Sequence, residues 1–166
     1  MAITYEPIAT TTLGSATSSI DFTSIPATYT DLRIVFVGTM ATSSYPWMRF
    51  NSDTGSNYSD TYFYGDGSTS VSGRNINITG WYMGANPLST TIPSMQTMDI
   101  FSYAGSTFKA GLSTSSTEFG TGQRMTDVIV SLWRSTSAIT SIKIFSDGGY
   151  NINAGSTATL YGITKA

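Results

Sequence analysis

Asp31-Leu32-Arg33-Ile34-Val35-Phe36-Val37-Gly38-Thr39 is the stretch of sequence that decides the fold class. Leu32, Ile34 and Phe36 occupy alternate positions, and successive residues of a β-strand face opposite sides of a sheet. Branched and aromatic side chains also favour the extended backbone of a strand. The stretch therefore predicts a strand with one fully apolar face, which places Leu32 and Ile34 in the core and Arg33 outward.

The same period of two recurs along most of the chain. Further strands are predicted at residues 18–22, 47–51, 58–64, 75–83, 95–103, 107–113, 125–134, 139–145 and 157–163. Gly, Asn, Asp, Ser and Pro cluster between them, as in turns. Segments 68–75 and 84–93 are predicted to be loops, which either carry binding contacts or connect the strands of a Greek key. The pattern indicates an all-β fold: a single antiparallel two-sheet sandwich of jelly-roll type over residues 1–166, with about 8–10 strands and under about 10% helix.

We expect the core to consist of apolar residues that share one face of their strands. These are Leu32, Ile34, Phe36, Phe50, Val128, Val130, Leu132, Ile142 and Ile144. On the strand at 107–113, Ala110 and Leu112 are predicted to face the core and Lys109 the solvent. Several strands carry apolar residues on both faces. Either an outer face of the sandwich packs against another molecule, or the alternation is simply imperfect. Because the chain has few charges with which to face water and monomeric proteins rarely expose large apolar patches, the pattern favours the first interpretation.

The composition is poor in charge and rich in hydroxyl groups. Charged residues make up 11% of the chain against a usual ~25%, whereas Ser and Thr account for 52 of the 166 residues. Disorder is excluded by the 40% hydrophobic and 13% aromatic content. A net charge of −2 provides no basic surface for nucleic acid, and no apolar run reaches the ~20 residues of a membrane span. The start of the chain lacks the features of a signal peptide, which predicts synthesis in a host cytoplasm without export.

Catalytic groups of the common kinds are missing from the sequence. The chain contains neither His nor Cys, which excludes Ser-His-Asp and Cys-His catalysis and zinc sites built from those residues. The carboxylates show no spacing that would pair two of them across a glycosidic bond. We therefore expect no enzymatic activity, no catalytic residues and no cofactor.

A short loop with oxygen-bearing side chains is a weak candidate for a metal site. Asn51, Asp53 and Asn57 surround Gly55, as in the first half of a calcium loop. The bidentate Glu expected at the twelfth position is replaced by Tyr62. In the alternative interpretation these side chains bond their own backbone in an Asx-rich turn. The missing Glu favours the turn, so we expect no essential metal.

Aromatic residues are the other candidates for a binding surface. Tyrosine and tryptophan rings stack on sugars and anchor protein interfaces, and they also pack in cores. All three roles are open for the seven residues that the sequence singles out: Trp47, Tyr58, Tyr62, Tyr64, Trp81, Tyr82 and Trp133.

Four segments carry a resemblance to a known family. They are residues 25–32, beginning Ile25-Pro26-Ala27; residues 49–59, beginning Arg49-Phe50-Asn51; residues 133–142, with Trp133-Arg134-Ser135 and Ala138-Ile139-Thr140; and residues 154–163, ending Leu160-Tyr161-Gly162-Ile163. Together they resemble small β-sandwich virion proteins of tailed bacteriophages, many of them phages of marine bacteria and cyanobacteria. The resemblance implies a structural component of the virion, either a capsid decoration protein or a part of the tail or fibre. It supplies no catalytic residues.

Two hypotheses about function follow from the resemblance and the residues. In the first, the chain is a capsid decoration (cement) protein on the phage head, a homotrimer bound to the major capsid protein. In the second, it is a receptor-binding module at a tail or fibre tip, whose aromatic residues and loops contact a host surface glycan. No nucleic-acid or membrane partner is expected in either case. Hundreds of copies per particle would favour the first hypothesis, and a handful the second.

Overall fold

The structure, a computed structural model, describes residues 5–118 and 124–164. Twelve strands lie in these residues, more than the expected number. None of the described residues belongs to a helix of the length and apolar character that crossing a bilayer requires. The strands are β1 (Tyr5–Thr12), β2 (Ser19–Phe22), β3 (Asp31–Gly38), β4 (Pro46–Phe50), β5 (Tyr58–Gly65), β6 (Ser70–Ile78), β7 (Trp81–Tyr82), β8 (Ser94–Phe101), β9 (Lys109–Glu118), β10 (Arg124–Trp133), β11 (Ile142–Ser146) and β12 (Thr157–Ile163).

The strands form two antiparallel sheets that pack as a sandwich, which confirms the predicted all-β architecture. The large sheet has eight strands in the order β1-β12-β3-β8-β9-β10-β5-β6. The small sheet has four, in the order β2-β11-β4-β7. The chain passes from one sheet to the other at each step from β1 to β5. The pairs β5–β6 and β9–β10 then stay in the large sheet and make it wider than the small one.

The core between the sheets follows the predicted alternation in most strands. β3 runs through the large sheet between β12 and β8, and its apolar side faces the small sheet. Fully burying a side chain of this size contributes roughly 1.5–3 kcal/mol, so this layer is a main source of stability. The core predictions that are confirmed concern Leu32, Ile34, Phe36, Phe50, Ile142 and Ile144, all of which are buried.

The predicted register of β10 is wrong by one residue. Val128 and Val130 are 44% and 57% exposed, and Leu132 is half-buried. Ile129 and Trp133 face the core instead. The outward row of Val128, Val130 and Leu132 is the more apolar of the two, because the inward row also contains Asp127 and Ser131. The alternation of side chains therefore favoured the wrong face. The packing of Trp133 between the sheets accompanies the burial of the face that carries Ile129.

The predicted orientation of the side chains of β9 is also wrong by one residue. Lys109, predicted to face solvent, is completely buried, whereas Ala110 is exposed and Leu112 is half-buried. The Lys109 ammonium donates hydrogen bonds to the carbonyl oxygens of Gly105 (2.7 Å) and Thr107 (2.5 Å). Burial lowers the pKa of this lysine. The inward side of β9 therefore carries polar groups, and much of its apolar surface faces outward.

The edges of the large sheet departed most from the sequence pattern. β6 occupies most of the predicted loop at 68–75. The predicted strand at 75–83 is divided into the end of β6 and the short β7. β1 lies in a segment for which no strand was predicted. An edge strand with both faces partly exposed needs no alternation of apolar residues, so it leaves little signal of period two. The predicted loop at 84–93 contains no strand.

The corrected register of β10 is testable by alanine substitution. Ile129→Ala removes a buried side chain and is expected to lower the free energy of unfolding by about 2–5 kcal/mol. Val130→Ala trims a side chain that is more than half exposed, so the expected loss is below about 1 kcal/mol. Urea denaturation of both variants in dilute protein makes the comparison. Equal losses would mean that β10 has a mixed orientation, and a larger loss for Val130→Ala would mean that it has the opposite one.

Candidate functional site

Three of the seven aromatic candidates lie in the core. Tyr58, Trp81 and Trp133 are buried. They pack around Phe50, whose ring centre lies 4.7 Å from that of Trp81 and 5.3 Å from that of Trp133. The rings of Tyr58 and Trp133 are nearly parallel, with centres 6.1 Å apart. Core packing is therefore the role of these three residues, and the structure does not place them on an exposed surface.

The other four candidates lie around one pocket, which we call the tyrosine pocket. Tyr62 and Tyr82 line it, Tyr64 lies beside Tyr62, and Trp47 packs against Tyr82. Sequence reasoning missed Tyr45, because this residue precedes β4 in a segment without strand periodicity. The pocket encloses about 120 Å³ and is lined by Tyr45, Tyr62, Asn75, Tyr82, Ala85 and Ile129.

The tyrosine pocket exists because the large sheet is wider than the small one. β7, the edge strand of the small sheet, packs against β10 and β5. β6, the next strand of the large sheet, lies beyond β5 and leaves a step between the two sheets. Tyr62 and Asn75 form the large-sheet side of this step. Tyr82 and Tyr45 form the opposite side, from β7 and from the segment before β4.

The rings around the pocket are held in two orientations. Tyr45 and Tyr82 meet edge to face, with centres 5.5 Å apart and planes at 89°. Tyr62 and Tyr64 are almost parallel, with an angle of 17° and centres 6.3 Å apart. The Tyr62 ring lies over the backbone of β6 at Gly73, where a Cβ atom would collide with the phenol. The missing side chain at Gly73 allows the ring to lie close to the sheet.

A buried carboxylate orients the polar wall of the pocket. Asp60 is 3% exposed, and its Oδ1 accepts a hydrogen bond from Nδ2 of Asn75 at 2.9 Å. Its Oδ2 has no hydrogen-bond partner among the described residues. Burial raises the pKa of Asp60, and the hydrogen bonds from Asn75 oppose that shift. Because Nδ2 is engaged with Asp60, the side-chain carbonyl of Asn75 is held in a defined direction.

Nearby carboxylates make the electrostatic potential at the pocket negative. Burial raises the pKa of the Tyr82 hydroxyl, and the charges of Asp147 and Asp60 raise it further. Burial and Asp147 act in the same direction on the pKa of Tyr45. Both hydroxyls therefore stay protonated at neutral pH, and they can donate as well as accept hydrogen bonds.

A second buried carboxylate, Asp127, anchors the loop at 84–93 beside the pocket. Its Oδ2 accepts hydrogen bonds from the backbone N–H of Ala85 (2.9 Å) and the hydroxyl of Ser115 (2.5 Å). The side-chain amide of Asn86 donates a third, at 3.3 Å. Burial raises the pKa of Asp127 in spite of these bonds. The carboxylate holds Ala85 in place in the pocket wall.

The raised pKa of Asp127 predicts a dependence of stability on pH. The folded protein binds this proton more tightly than the unfolded chain, in which the pKa is near 3.8. Stability therefore falls as the pH rises from that value through the higher pKa of the folded state. Asp127→Asn lacks the carboxyl, so its free energy of unfolding should fall less over the same range.

Urea denaturation at intervals from about pH 4 to about pH 8 measures this difference. Asp60 also has a raised pKa, but it is present in both proteins and contributes equally to their slopes. The comparison therefore isolates Asp127. Identical slopes for the two proteins would contradict an upward shift at this residue.

The weak metal candidate, the loop at 51–57, has the hydrogen bonds of an Asx-rich turn. Asn51 and Ser52 both have positive φ angles, 51° and 58°, and the N–H of Asp53 bonds to the carbonyl of Phe50 at 2.9 Å. Two positive φ angles and this bond define a type I′ turn, in which Asn is favoured. Asn51 Oδ1 accepts the backbone N–H of Thr140 at 2.8 Å. Its oxygen is therefore directed at the segment before β11.

Asp53 also bonds to protein donors. Its Oδ1 accepts the N–H of Gly55 at 2.8 Å, and its Oδ2 accepts the indole N–H of Trp133 at 2.7 Å and the Asn57 amide at 3.0 Å. Burial would raise the pKa of Asp53, but these bonds outweigh burial and lower it. Within the described residues, no three acidic side chains cluster in a way that could hold a metal ion.

The outward side of the large sheet carries an exposed apolar surface, which we call the outer face. Strand register places Val130 between Leu112 and Thr61, and Val128 beside Phe63, which is 52% exposed. The residues of β9 and β10 on this surface were predicted to face the core, but they lie on the outward sides of the two strands. The outer face consists of Phe63, Phe101, Ala110, Leu112, Val128, Val130 and Leu132.

Charged groups beside the outer face are paired with one another at two places. Arg33 donates two hydrogen bonds to Asp99, at 2.6 Å and 2.7 Å. Arg124 lies 3.5 Å from Glu118 at the far end of β9 and β10. The rows through Val128 and Val130 on β9 and β10 contain no charged side chain. On β9 and β10 the outer face is therefore neutral as well as apolar, and Arg74 of β6 lies beside it, across Thr61 from Val130.

Among the described residues, the structure has two candidate sites, the tyrosine pocket and the outer face. They lie on opposite sides of the large sheet, as the adjacent residues Tyr62 and Phe63 of β5 show. No protein-family model matches the chain, and no curated protein matches it in sequence. Function is therefore inferred from these two surfaces and from the arrangement of the strands.

Proposed function

We propose that this chain is a non-enzymatic structural protein of a phage virion, specifically a capsid decoration protein. The observation that best supports this is the outer face, which is apolar and neutral in the middle of a wide sheet. Monomeric proteins rarely leave such a surface in water, and it normally marks an interface. Structural subunits join their neighbours through surfaces of this kind. The four segments that resemble phage virion proteins agree with the proposal.

We also propose that the sandwich is of jelly-roll type. Without the pairs β5–β6 and β9–β10, the strand orders are β1-β12-β3-β8 and β2-β11-β4-β7. Successive strands then alternate between the sheets, except that β4 and β7 follow each other as neighbours in the small sheet, and this order supports the two Greek keys of a jelly roll. Viral capsid proteins and lectins both use this architecture. Because fold alone does not assign function, the outer face carries more weight.

The occupant that we propose for the outer face is a second copy of this chain, within a closed homotrimer. The part of the face on β9 and β10 carries no charged side chain, so covering it with another copy buries no charge there, provided that Arg74 of β6, beside Val130 and Thr61, stays at the rim of the contact. In a closed ring every copy uses the same surfaces, and no apolar face is left at an open end. The trimer would contact the major capsid protein through its remaining surfaces.

Light scattering after size exclusion tests the self-association. At roughly tens of micromolar, the expected mass is three times that of the 17.7 kDa chain. A specific interface of this kind buries more than about 1,000 Å² in total. A stable mass of 17.7 kDa at that concentration would contradict the homotrimer.

Counting the copies in purified virions tests the decoration role itself. A protein that covers the head is expected in hundreds of copies, at positions on the outer surface of the shell in particle images. A handful of copies at the tail would contradict decoration. It would favour the second candidate, a receptor-binding module, for which the tyrosine pocket is the specific supporting observation.

A further inference from the structure

We propose that the tyrosine pocket is a binding site for a neutral saccharide and takes one sugar residue at the end of a glycan. The proposal does not depend on the outer face, because the pocket lies on the other side of the large sheet. A decoration protein and a tail module could both carry such a site. Its test is therefore separate from those of self-association and copy number.

The first argument is the arrangement of the rings. Sugar rings present apolar C–H faces that pack on aromatic rings. Tyr62 lies over Gly73 with Tyr64 almost parallel beside it, which makes a low platform on the step of the large sheet. Tyr45 and Tyr82 stand at a right angle to each other and close the opposite side. This combination of a platform and a wall suits one ring, and the volume of about 120 Å³ agrees with an occupant of that size.

The second argument is the set of polar groups at the pocket. Small-ligand sites combine aromatic walls with a few polar groups held in fixed directions. The hydrogen bond to Asp60 fixes the amide of Asn75 at the pocket wall. The hydroxyls of Tyr45 and Tyr82 stay protonated, so each can donate to a sugar oxygen and accept from a sugar hydroxyl. A ligand with several hydroxyl groups matches these partners.

The third argument is charge, which restricts the sugar to a neutral one. None of the lining residues is cationic. Asp60 lies behind Asn75, and the N–H of Tyr45 donates to Asp147 at 3.1 Å. An anionic sugar would be disfavoured by the negative charges of Asp60 and Asp147 near the pocket, with no cation in the lining to compensate. A cationic ligand such as a quaternary ammonium group also suits aromatic rings near carboxylates, so it has to be tested as the competing occupant.

Nuclear magnetic resonance titration of the full chain tests the site. The probes are maltotriose, cellotriose, mannotriose and chitotriose, each to about 10 mM, together with choline chloride. A site for one sugar ring is expected to have a Kd of the order of 1 mM or below. The indole signal of Trp47 should shift on saturation, because this ring lies 4.8 Å from that of Tyr82. The indoles of Trp81 and Trp133, in the core, should shift less.

Matched variants on β5 locate the site. Tyr62→Ala should weaken binding at least about tenfold, whereas Phe63→Ala, on the opposite face of the same strand, should leave the Kd unchanged. Gly73→Ala removes no lining side chain but displaces the Tyr62 ring, so it should also weaken binding. The dispersion of the amide signals shows that each variant is folded. Tyr82→Phe provides a variant that keeps its ring if Tyr62→Ala fails to fold, and it should weaken binding through the lost hydroxyl.

Three results would overturn the proposal. One is the absence of saturable binding to any of the four trisaccharides by folded protein. Another is sugar binding with the same Kd in the folded pocket variants as in the parent chain, which would place the sugar elsewhere. The third is binding of choline without binding of any sugar, which would make the pocket a cation site.

Discussion

Replacement of Trp133 by alanine is expected to lower the free energy of unfolding by about 3–5 kcal/mol. The side chain is 2% exposed and packs against Phe50 and Tyr58 in the aromatic core. Its indole N–H also donates to Asp53 at 2.7 Å. The substitution therefore leaves a large cavity and removes a bond to a carboxylate at once. Urea denaturation followed by far-ultraviolet circular dichroism measures the loss.

A second variant separates the hydrogen bond from the cavity, and a third serves as a control at the surface. Trp133→Phe keeps an aromatic ring but loses the donor to Asp53, and a hydrogen bond to a charged group is worth about 1.5–3 kcal/mol. Tyr150→Ala removes an aromatic side chain that is 45% exposed, so the expected change is within about 1 kcal/mol. If Trp133→Ala cost no more than Tyr150→Ala, Trp133 would not belong to the core.

The substitution Val130→Asp is expected to convert the proposed homotrimer into a monomer. Val130 lies in the middle of the outer face, and it is 57% exposed in the single chain. If another copy covers that face, the new carboxylate would lose its contact with water among apolar side chains, at a cost of several kcal/mol. The mass from light scattering should then drop to that of the 17.7 kDa chain.

The matched control for this experiment is Thr42→Asp. It adds the same charge at an exposed residue outside the outer face, and it should leave the mass of the assembly unchanged. Circular dichroism should show that both variants remain folded, since each replaced side chain is exposed in the single chain. A Val130→Asp protein that keeps the mass of the parent would show that the copies meet through another surface.

The fold brings together three of the four segments that were singled out in the sequence, residues 25–32, 49–59 and 133–142. The side chain of Asn51 bonds to the backbone of Ala138 and Thr140, at 2.7 Å and 2.8 Å. The N–H of Ile25 bonds to the carbonyl of Thr140 at 3.0 Å, and Trp133 bonds to Asp53. Three segments far apart in sequence therefore meet at one corner of the sandwich. Their residue patterns were visible in the sequence, but the contacts that require them were not.

Local patterns were sufficient for the fold class and for part of the core. The alternation in β3 predicted the burial of Leu32, Ile34 and Phe36, because only one face of that strand is continuously apolar. The turn after Phe50 was also foreseen as an alternative to a metal loop, since Asn tolerates a positive φ. Properties of this kind depend on neighbours within a few residues, and so the sequence alone determined them.

The orientation of β10 and the composition of the tyrosine pocket were decided by the tertiary structure. Ile129 and Val130 are both apolar, so only packing against the small sheet determines which of them is buried. Tyr45, Tyr62 and Tyr82 come together because β5 and β6 extend past the edge of the small sheet at β7. That step depends on which strands pair and on how wide each sheet becomes. Both depend on contacts between residues distant in sequence, which period-two patterns do not record.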